Sequence, residues 1–461
     1  MTSLYEAEAG SFRLGLTGDT LLTRPLACFR EPAFLGLRDL LQGCDAVFTN
    51  LESSVNEYLS LPHATRRSGG TYMTTEPGLL RDLRWLGVDL VACGSSHADD
   101  YGHEGMVSTL RHLDEASFAR AGLGRHLAEA RRPAFLDGPR GRVALLAATS
   151  QHNPGSRAGQ QRPDAGGHPG VNGLRRSLWY EVDEPSLDAL RRIGAAVGWD
   201  ADRHRARGQG DPAAPPGEGQ SRGQAYNFLG TWFRLGSASG PVTALDEVDL
   251  EENLRQVAHA RRLADYVVVS LHCHEQAGAN LGSAQRRSEV DDVAAHAVQY
   301  GRACLEAGAD VFVAHGPQVP LSVELHHGKP LFHGLGTFIF QIETVEVLPS
   351  EIYERYGLTG DDTPSDVLMS RYRHDSVGHP SDRAQWEQVV AVCEWSAGAL
   401  RGIELVPVDL GFGRPRSQRG RPVLAEGEVA ERVLARVAEL SARHGTEVVV
   451  ADGRGYIAVG G

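Results

Sequence analysis

Short apolar runs alternate with stretches of helical periodicity along most of the chain. Apolar runs bounded by glycine or polar residues predict strands at residues 13–17, 45–49, 88–93, 143–148, 266–271 and 311–314. Apolar positions three and four residues apart predict helices at residues 33–42, 77–86, 107–116, 184–197, 251–262 and 290–307. Strands that alternate with helices are typical of a sheet covered by helices, so the pattern predicts an α/β fold.

The last third of the chain continues this pattern. Residues 321–325 and 330–333 predict a hairpin, and residues 334–341 are expected to close the core. Beyond them we predict helices at residues 383–400 and 428–444 and strands at residues 403–408 and 447–450. The whole chain, residues 1–461, is expected to form one elaborated α/β domain.

Two segments lack any apolar period. Residues 153–173 are rich in Gly, Pro, Arg and Gln, and residues 202–224 are richer still in polar and small residues. Neither segment can bury much apolar surface, so we predict that both are mobile insertions or loops.

Composition narrows the choice of partner and compartment. The net charge of -13 argues against nucleic acid, because phosphate binding needs clustered positive charge. The 6 cysteines stand singly, which excludes CxxC zinc knuckles and argues against a disulfide framework. The first ten residues do not resemble a signal peptide, and no apolar run approaches the length of a membrane span. We therefore expect a soluble, cytoplasmic protein with neither a membrane nor a nucleic-acid partner.

Side chains that can bind metal recur just after predicted strands. They are Asp19, Glu52, His97, His272 and His315. Ligands of open α/β sheets bind at the carboxyl ends of strands, so these five residues are expected to converge on one divalent metal site. Taken singly, each has a plainer interpretation, such as a turn, a helix cap or a buried structural histidine.

The order of the motifs around these residues resembles the CapA family of poly-γ-glutamate capsule synthesis proteins. The motifs are Leu16-Thr17-Gly18-Asp19, Asn50-Leu51-Glu52, Ser95-Ser96-His97, Ser270-Leu271-His272, Ala314-His315-Gly316-Pro317 and Gly334-Leu335-Gly336-Thr337-Phe338. That family is similar to the calcineurin-like metallophosphoesterases. The resemblance implies a calcineurin-like metallo-dependent phosphatase fold, with a β-sandwich core flanked by helices, loop insertions and a metal site at the strand ends.

The resemblance also implies roles for individual residues. It assigns metal binding to Asp19, Asn50, Glu52, Ser96, His272 and His315, and action on the substrate to His97. The chain departs from the family pattern at Ser96, where asparagine is usual, and at Gly316 and Gln318, where extra histidines are common. With fewer ligands, one ion of Ca²⁺, Mg²⁺ or Mn²⁺ is expected rather than two.

The surplus of histidines suggests a reaction that needs acid–base groups on two faces of a carbon atom. We expect a metal-dependent peptide epimerase, similar to CapA-like lasso-peptide epimerases, that inverts the Cα of a C-terminal residue in a ribosomal precursor peptide. His97 is the expected base, and His272, His274 or His315 the group on the opposite face. Asp99 and Asp100 either orient His97 or merely begin a helix.

Two other classes of function remain open. The first is a CapA-like hydrolase or ligase of amide bonds such as those of poly-γ-glutamate, or a metallophosphoesterase. The second is a peptide-binding protein without turnover. The mass of the product separates the enzymatic possibilities, because epimerisation changes no mass.

Overall fold

A computed structural model describes residues 10–60, 62, 71–153, 155–200, 224–237, 239–275 and 291–459. The predicted insertion at residues 202–224 lies outside this part of the chain except for Gln224. Residues 153–173 are described apart from residue 154, and they form a loop that returns on itself, since the Ala158 amide donates to the Val171 carbonyl at 3.0 Å. The mobility of both segments stays a prediction.

Twenty-four strands are found in the described residues. They are β1 (Ser11–Leu21), β2 (Ala46–Leu51), β3 (Ser54–Val55), β4 (Thr74–Thr75), β5 (Leu90–Ala92), β6 (Ala119–Ala121), β7 (Leu123–Gly124), β8 (Ala134–Gly138), β9 (Gly141–Thr149), β10 (Gly170–Val171), β11 (Arg176–Val182), β12 (Ala225–Phe228), β13 (Thr231–Leu235), β14 (Gly240–Leu245), β15 (Tyr266–His272), β16 (Val311–His315), β17 (Val323–His326), β18 (Lys329–Phe332), β19 (Thr337–Phe340), β20 (Glu387–Ser396), β21 (Ala399–Asp409), β22 (Val423–Leu424), β23 (Val449–Ala451) and β24 (Arg454–Ala458).

The α-helices of the same residues cover the sheets and connect the strands. They are α1 (Pro32–Gln42), α2 (Leu80–Leu86), α3 (Gly102–Glu115), α4 (Leu127–Arg131), α5 (Glu184–Ala196), α6 (Glu247–Arg261), α7 (Ala295–Ala307), α8 (Ser350–Arg355), α9 (Pro364–Arg371) and α10 (Gly427–Ala442). In the part of the chain that the structure describes, none of these helices has the length and apolarity needed to cross a membrane.

Two large sheets build the core and confirm the predicted α/β class. One has 10 strands in the order β23-β24-β21-β20-β1-β2-β5-β6, with β19 beside β1 and β22 beside β21. The other has 6 strands in the order β17-β18-β16-β15-β9-β8. Leu14 and Phe48 of the first sheet share one buried apolar cluster with Val268 and Val313 of the second, so the two sheets pack against each other. The more specific calcineurin-like assignment stays a prediction.

The described residues group into two compact units. The larger unit takes in the described residues of 10–173, 251–275 and 291–459 and holds both large sheets. The smaller takes in the described residues of 174–250, and its strands form a separate sheet in the order β12-β13-β11-β14. A sheet of its own lets this segment cluster apart from the rest. The predicted organisation as one elaborated domain stays a prediction.

One predicted helix is wrong. Residues 383–400 were expected to be helical, but residues 387–396 form β20, which pairs antiparallel with β1 and β21. Its valines are β-branched and lie between two neighbouring strands, where such side chains pack well. The predicted hairpin is correct, since β17 and β18 pair antiparallel with His326 opposite Lys329.

Candidate metal centre

The end of β1 places Asp19 at the carboxyl edge of the larger sheet. The Asp19 amide donates to the Gly336 carbonyl at 3.0 Å, which draws β1 close to the residue before β19. A Cβ on Gly18 would lie 2.1 Å from the Gly336 oxygen, far inside van der Waals contact. Only glycine permits this approach of two backbones, and it fixes the direction of the Asp19 side chain.

Replacing Gly18 by alanine is therefore expected to destabilise the protein by about 1–3 kcal/mol, because the added methyl group must push two backbones apart. Gly78→Ala is the matched control, since a Cβ there meets nothing within 4 Å. Urea unfolding of both variants tests the effect. Equal midpoints for the two would show that the close approach at Gly18 is not required.

The Asp19 carboxylate is fully buried and lies among polar groups from three other motifs. Its Oδ1 accepts from Asn50 Nδ2 at 2.7 Å, and its Oδ2 accepts from the Gly316 amide at 3.0 Å. The same Oδ1 lies 3.4 Å from His315 Nδ1 and 3.9 Å from His272 Nδ1. The parallel pairing of β15 with β16 sets His272 opposite His315, which explains why both histidines reach one carboxylate.

Glu52 forms the other half of the cluster and is also fully buried. Its Oε1 lies 3.2 Å from His274 Nε2, 3.5 Å from His272 Nε2 and 3.4 Å from Ser96 Oγ. His272 thus faces Asp19 with one ring nitrogen and Glu52 with the other. The imidazole of His272 therefore lies between the carboxylates of Asp19 and Glu52.

Burial and neighbouring charge act in opposite directions on these groups. Burial alone would raise the pKa of Glu52, but the imidazoles of His272 and His274 outweigh it and hold that pKa well below its ordinary value. Burial lowers the pKa of His272 to about 4. An ionised carboxylate and a neutral imidazole are the forms of these side chains that bind metal.

Several buried atoms of the cluster have no hydrogen-bond partner. They are Glu52 Oε2, Asn50 Oδ1 and both ring nitrogens of His315. Buried polar atoms are normally satisfied, so a group of unpaired oxygen and imidazole nitrogen atoms around two carboxylates fits a divalent cation. Glu52, His272 and His274 each offer one ligand atom, all within 4.8 Å of one another, and the mixture of oxygen and imidazole suits a divalent metal.

His97 and Asp100 form a pair beside this cluster. His97 Nδ1 lies 2.6 Å from Asp100 Oδ2, an oxygen that also accepts from the Met73 amide at 2.7 Å. Burial would lower the pKa of His97, but the Asp100 carboxylate outweighs it and raises that pKa to about 9. Asp99 makes a different contact, because its Oδ2 accepts from Asn153 Nδ2 at 2.9 Å. Asp100, rather than Asp99, therefore orients His97.

The structure brings the sequence candidates into one cluster with an adjoining pair. The cluster contains Asp19, Asn50, Glu52, Ser96, His272, His274 and His315. His274 Nε2 lies 3.2 Å from Glu52 Oε1, closer than His272 Nε2 at 3.5 Å. The sequence analysis did not reveal that the Gly316 amide donates to Asp19. The φ of Gly316 is 105°, a conformation that favours glycine.

A buried group next to the cluster escaped the sequence analysis. Cys273 Sγ lies 3.1 Å from Glu275 Oε2 and 3.8 Å from His296 Nε2. Burial raises the pKa of Cys273 well above its ordinary value, so the thiol is not a reactive nucleophile. The alternation of His272, Cys273 and His274 at the end of β15 turns the cysteine away from the histidines.

The edge of the α/β sheet thus brings together buried carboxylates, imidazoles and a His–Asp pair, an arrangement that could hold a divalent metal. Comparison with known proteins shows the family. Residues 13–342 match the sequence model of the family described as "Bacterial capsule synthesis protein PGA_cap", and the chain belongs to that family. The predicted membership of the CapA family is thereby confirmed.

Individual relatives extend the comparison. Two proteins of Sinorhizobium fredii (strain NBRC 101917 / NGR234), "Uncharacterized protein y4sH" and "Uncharacterized protein y4uA", are each 28% identical over 457 residues, covering 97% of this chain and 93% of the relative. The "PGA biosynthesis protein CapA" of Bacillus subtilis (strain 168) is 32% identical over 92 residues, covering 20% of this chain and 21% of the relative. None of these descriptions mentions an epimerase or a lasso peptide.

Proposed function

We propose that this protein is a metal-dependent hydrolase that cleaves amide bonds in a peptide-type substrate. One observation carries the proposal: a buried carboxylate–imidazole cluster, in which several oxygen and nitrogen atoms have no hydrogen-bond partner, lies beside a hydrogen-bonded His97–Asp100 pair. The cluster suits a divalent ion, and the pair suits proton transfer at a leaving group.

Glu52, His272 and His274 would hold the ion, with Asp19, Asn50 and His315 around it. When bound, a divalent ion supplies Lewis acidity for a carbonyl oxygen and lowers the pKa of a water molecule. The neutral His272 and the ionised Glu52 are ready to bind without first losing a proton.

His97 is the proton donor of this mechanism. Asp100 fixes its ring through Nδ1, which leaves Nε2 as the nitrogen for exchange with the substrate. In hydrolysis, water oxygen bonds to the carbonyl carbon, the C–N bond breaks, and the departing nitrogen takes a proton from His97. The Asp100 carboxylate stabilises the imidazolium before that transfer. The proton that the attacking water gives up then restores the protonated form of His97.

The family supports an amide substrate over a phosphoester. A relative is described as a PGA biosynthesis protein, and poly-γ-glutamate is an amide-linked polymer. Among the described residues, the side chains that contact Asp19 and Glu52 are imidazoles, an amide and a hydroxyl, with no Arg or Lys to bind a phosphate. Only the surplus of histidines favours inversion at Cα, so epimerisation is one of the alternative outcomes of the test.

The test combines the Mn²⁺-loaded full-length protein with γ-linked glutamate oligomers and with α-linked peptides. We expect shorter products, and at each cleavage the fragment with the new carboxyl group should gain one ¹⁸O atom when the reaction runs in H₂¹⁸O. Joined products would indicate a ligase. Deuterium uptake from D₂O without a shorter product would replace the proposal by epimerisation, and release of phosphate from aryl phosphates without amide cleavage would replace it by phosphoester hydrolysis.

A further inference from the structure

A second group of metal-binding side chains lies on three elements of the larger unit. Asp292 precedes α7, His333 follows β18, and His444 follows α10. Each offers one ligand atom, and these atoms all lie within 4.8 Å of one another. All three belong to residues that the candidate metal centre does not use.

His333 is the centre of this group. Its side chain is fully buried, and its two ring nitrogens face two different carboxylates. Nδ1 lies 2.7 Å from Asp292 Oδ1, and Nε2 lies 3.3 Å from Glu324 Oε2. The ring of His444 lies beside it, with the two ring centroids 4.6 Å apart.

Glu324 is held in place from its other side. Arg302 donates to both of its oxygens, at 2.8 and 3.1 Å. A bidentate arginine fixes the plane of a carboxylate. The orientation of Glu324 toward His333 is therefore built into the fold.

The group is open to solvent on one side. A pocket of about 560 Å³ is lined by Asp292, His333 and His444 together with Arg302. The side chain of Asp292 is 39% exposed and that of His444 is 20% exposed. An ion can reach these ligands without unfolding the protein.

We propose that Asp292, His333 and His444 form a second site, which binds one Zn²⁺ ion. Two imidazoles and one carboxylate are a ligand set that zinc prefers. Glu324 would accept a hydrogen bond from His333 Nε2–H. This bond fixes the tautomer and leaves Nδ1 for the ion, as in the carboxylate–histidine–zinc arrangement of known sites. The ion would tie three elements that are far apart in the sequence.

The experiment titrates ZnCl₂ into the full-length, chelator-stripped protein against a chromophoric zinc chelator. A Glu52→Gln background weakens the candidate metal centre, so that the second site is counted separately. In this background we expect one tight equivalent, and we expect His444→Gln to remove it. His259→Gln is the control, because His259 is an exposed histidine on α6 and should leave the equivalent unchanged. Equal stoichiometry with and without His444, or a loss in the control as well, overturns the proposal.

A second variant addresses the positioning role of Glu324. Glu324→Gln keeps the size of the side chain but loses its charge, and we expect zinc affinity to fall about 10–100-fold. In the Glu52→Gln background, zinc should raise the melting temperature of the protein that keeps His444 and leave that of the protein with His444→Gln unchanged. If zinc stabilises both proteins equally, the ion binds elsewhere and the proposal fails.

Discussion

Replacing Glu52 by glutamine is expected to remove the divalent ion and to lower the turnover of amide substrates at least about 100-fold. Changes in residues that merely orient metal ligands already cost about 10–100-fold, and Glu52 would bind the ion itself. The carboxylate is fully buried between His272 and His274, and no other anion is as close to both imidazoles among the described residues. Glutamine has the same shape, so the change removes a charge and leaves the packing intact.

Two measurements check this result. Elemental analysis of protein dialysed against Mn²⁺ gives the metal content, and an assay with an amide substrate gives the turnover rate. Glu57→Gln is the matched control, because Glu57 follows closely in the sequence but is an exposed residue. Full metal content and normal turnover in the Glu52→Gln protein would refute the assignment of Glu52.

Much of the larger unit could be predicted because its parallel strands are short, buried apolar runs. The predicted strands at residues 13–17, 143–148, 266–271 and 311–314 all lie within observed strands. The candidate metal-binding residues could be grouped for the same reason: Asp19 and His272 lie near the ends of strands at the sheet edge. Such residues can be recognised from the position of each strand end alone, without knowing how the strands pair.

Other features depend on contacts that a local pattern does not contain. The apolar residues of β20 also fit a helical period, and pairing with β1 and β21 makes this segment a strand. The group of Asp292, His333 and His444 comes from three separate elements, so no spacing in the sequence signals it. The choice between Asp99 and Asp100 likewise needed the observed distance from His97 to a carboxylate.

Replacing His97 by alanine is expected to lower kcat roughly 10²–10⁴-fold with little change in KM, the loss typical of a missing general acid. The protein should keep its metal, because the ligand atoms of Glu52, His272 and His274 do not include His97. Retained metal distinguishes this variant from Glu52→Gln, which should lose both the metal and the activity. Imidazole added to the solution should restore part of the rate, since the small molecule can enter the space that the side chain leaves and donate the proton.

The two neighbouring aspartates give this prediction its sharpest test. Asp100→Asn should lower kcat, because an amide keeps the contact at Nδ1 but cannot stabilise the imidazolium of His97. Asp99→Asn should leave kcat close to that of the starting protein, because Asp99 accepts a hydrogen bond from Asn153 instead. Steady-state rates of the pair, measured on the substrate that the starting protein cleaves, decide the matter. If Asp99→Asn lost as much activity as Asp100→Asn, or if the metal-loaded His97→Ala protein stayed within a few-fold of full activity, His97 would not be the proton donor that the geometry indicates.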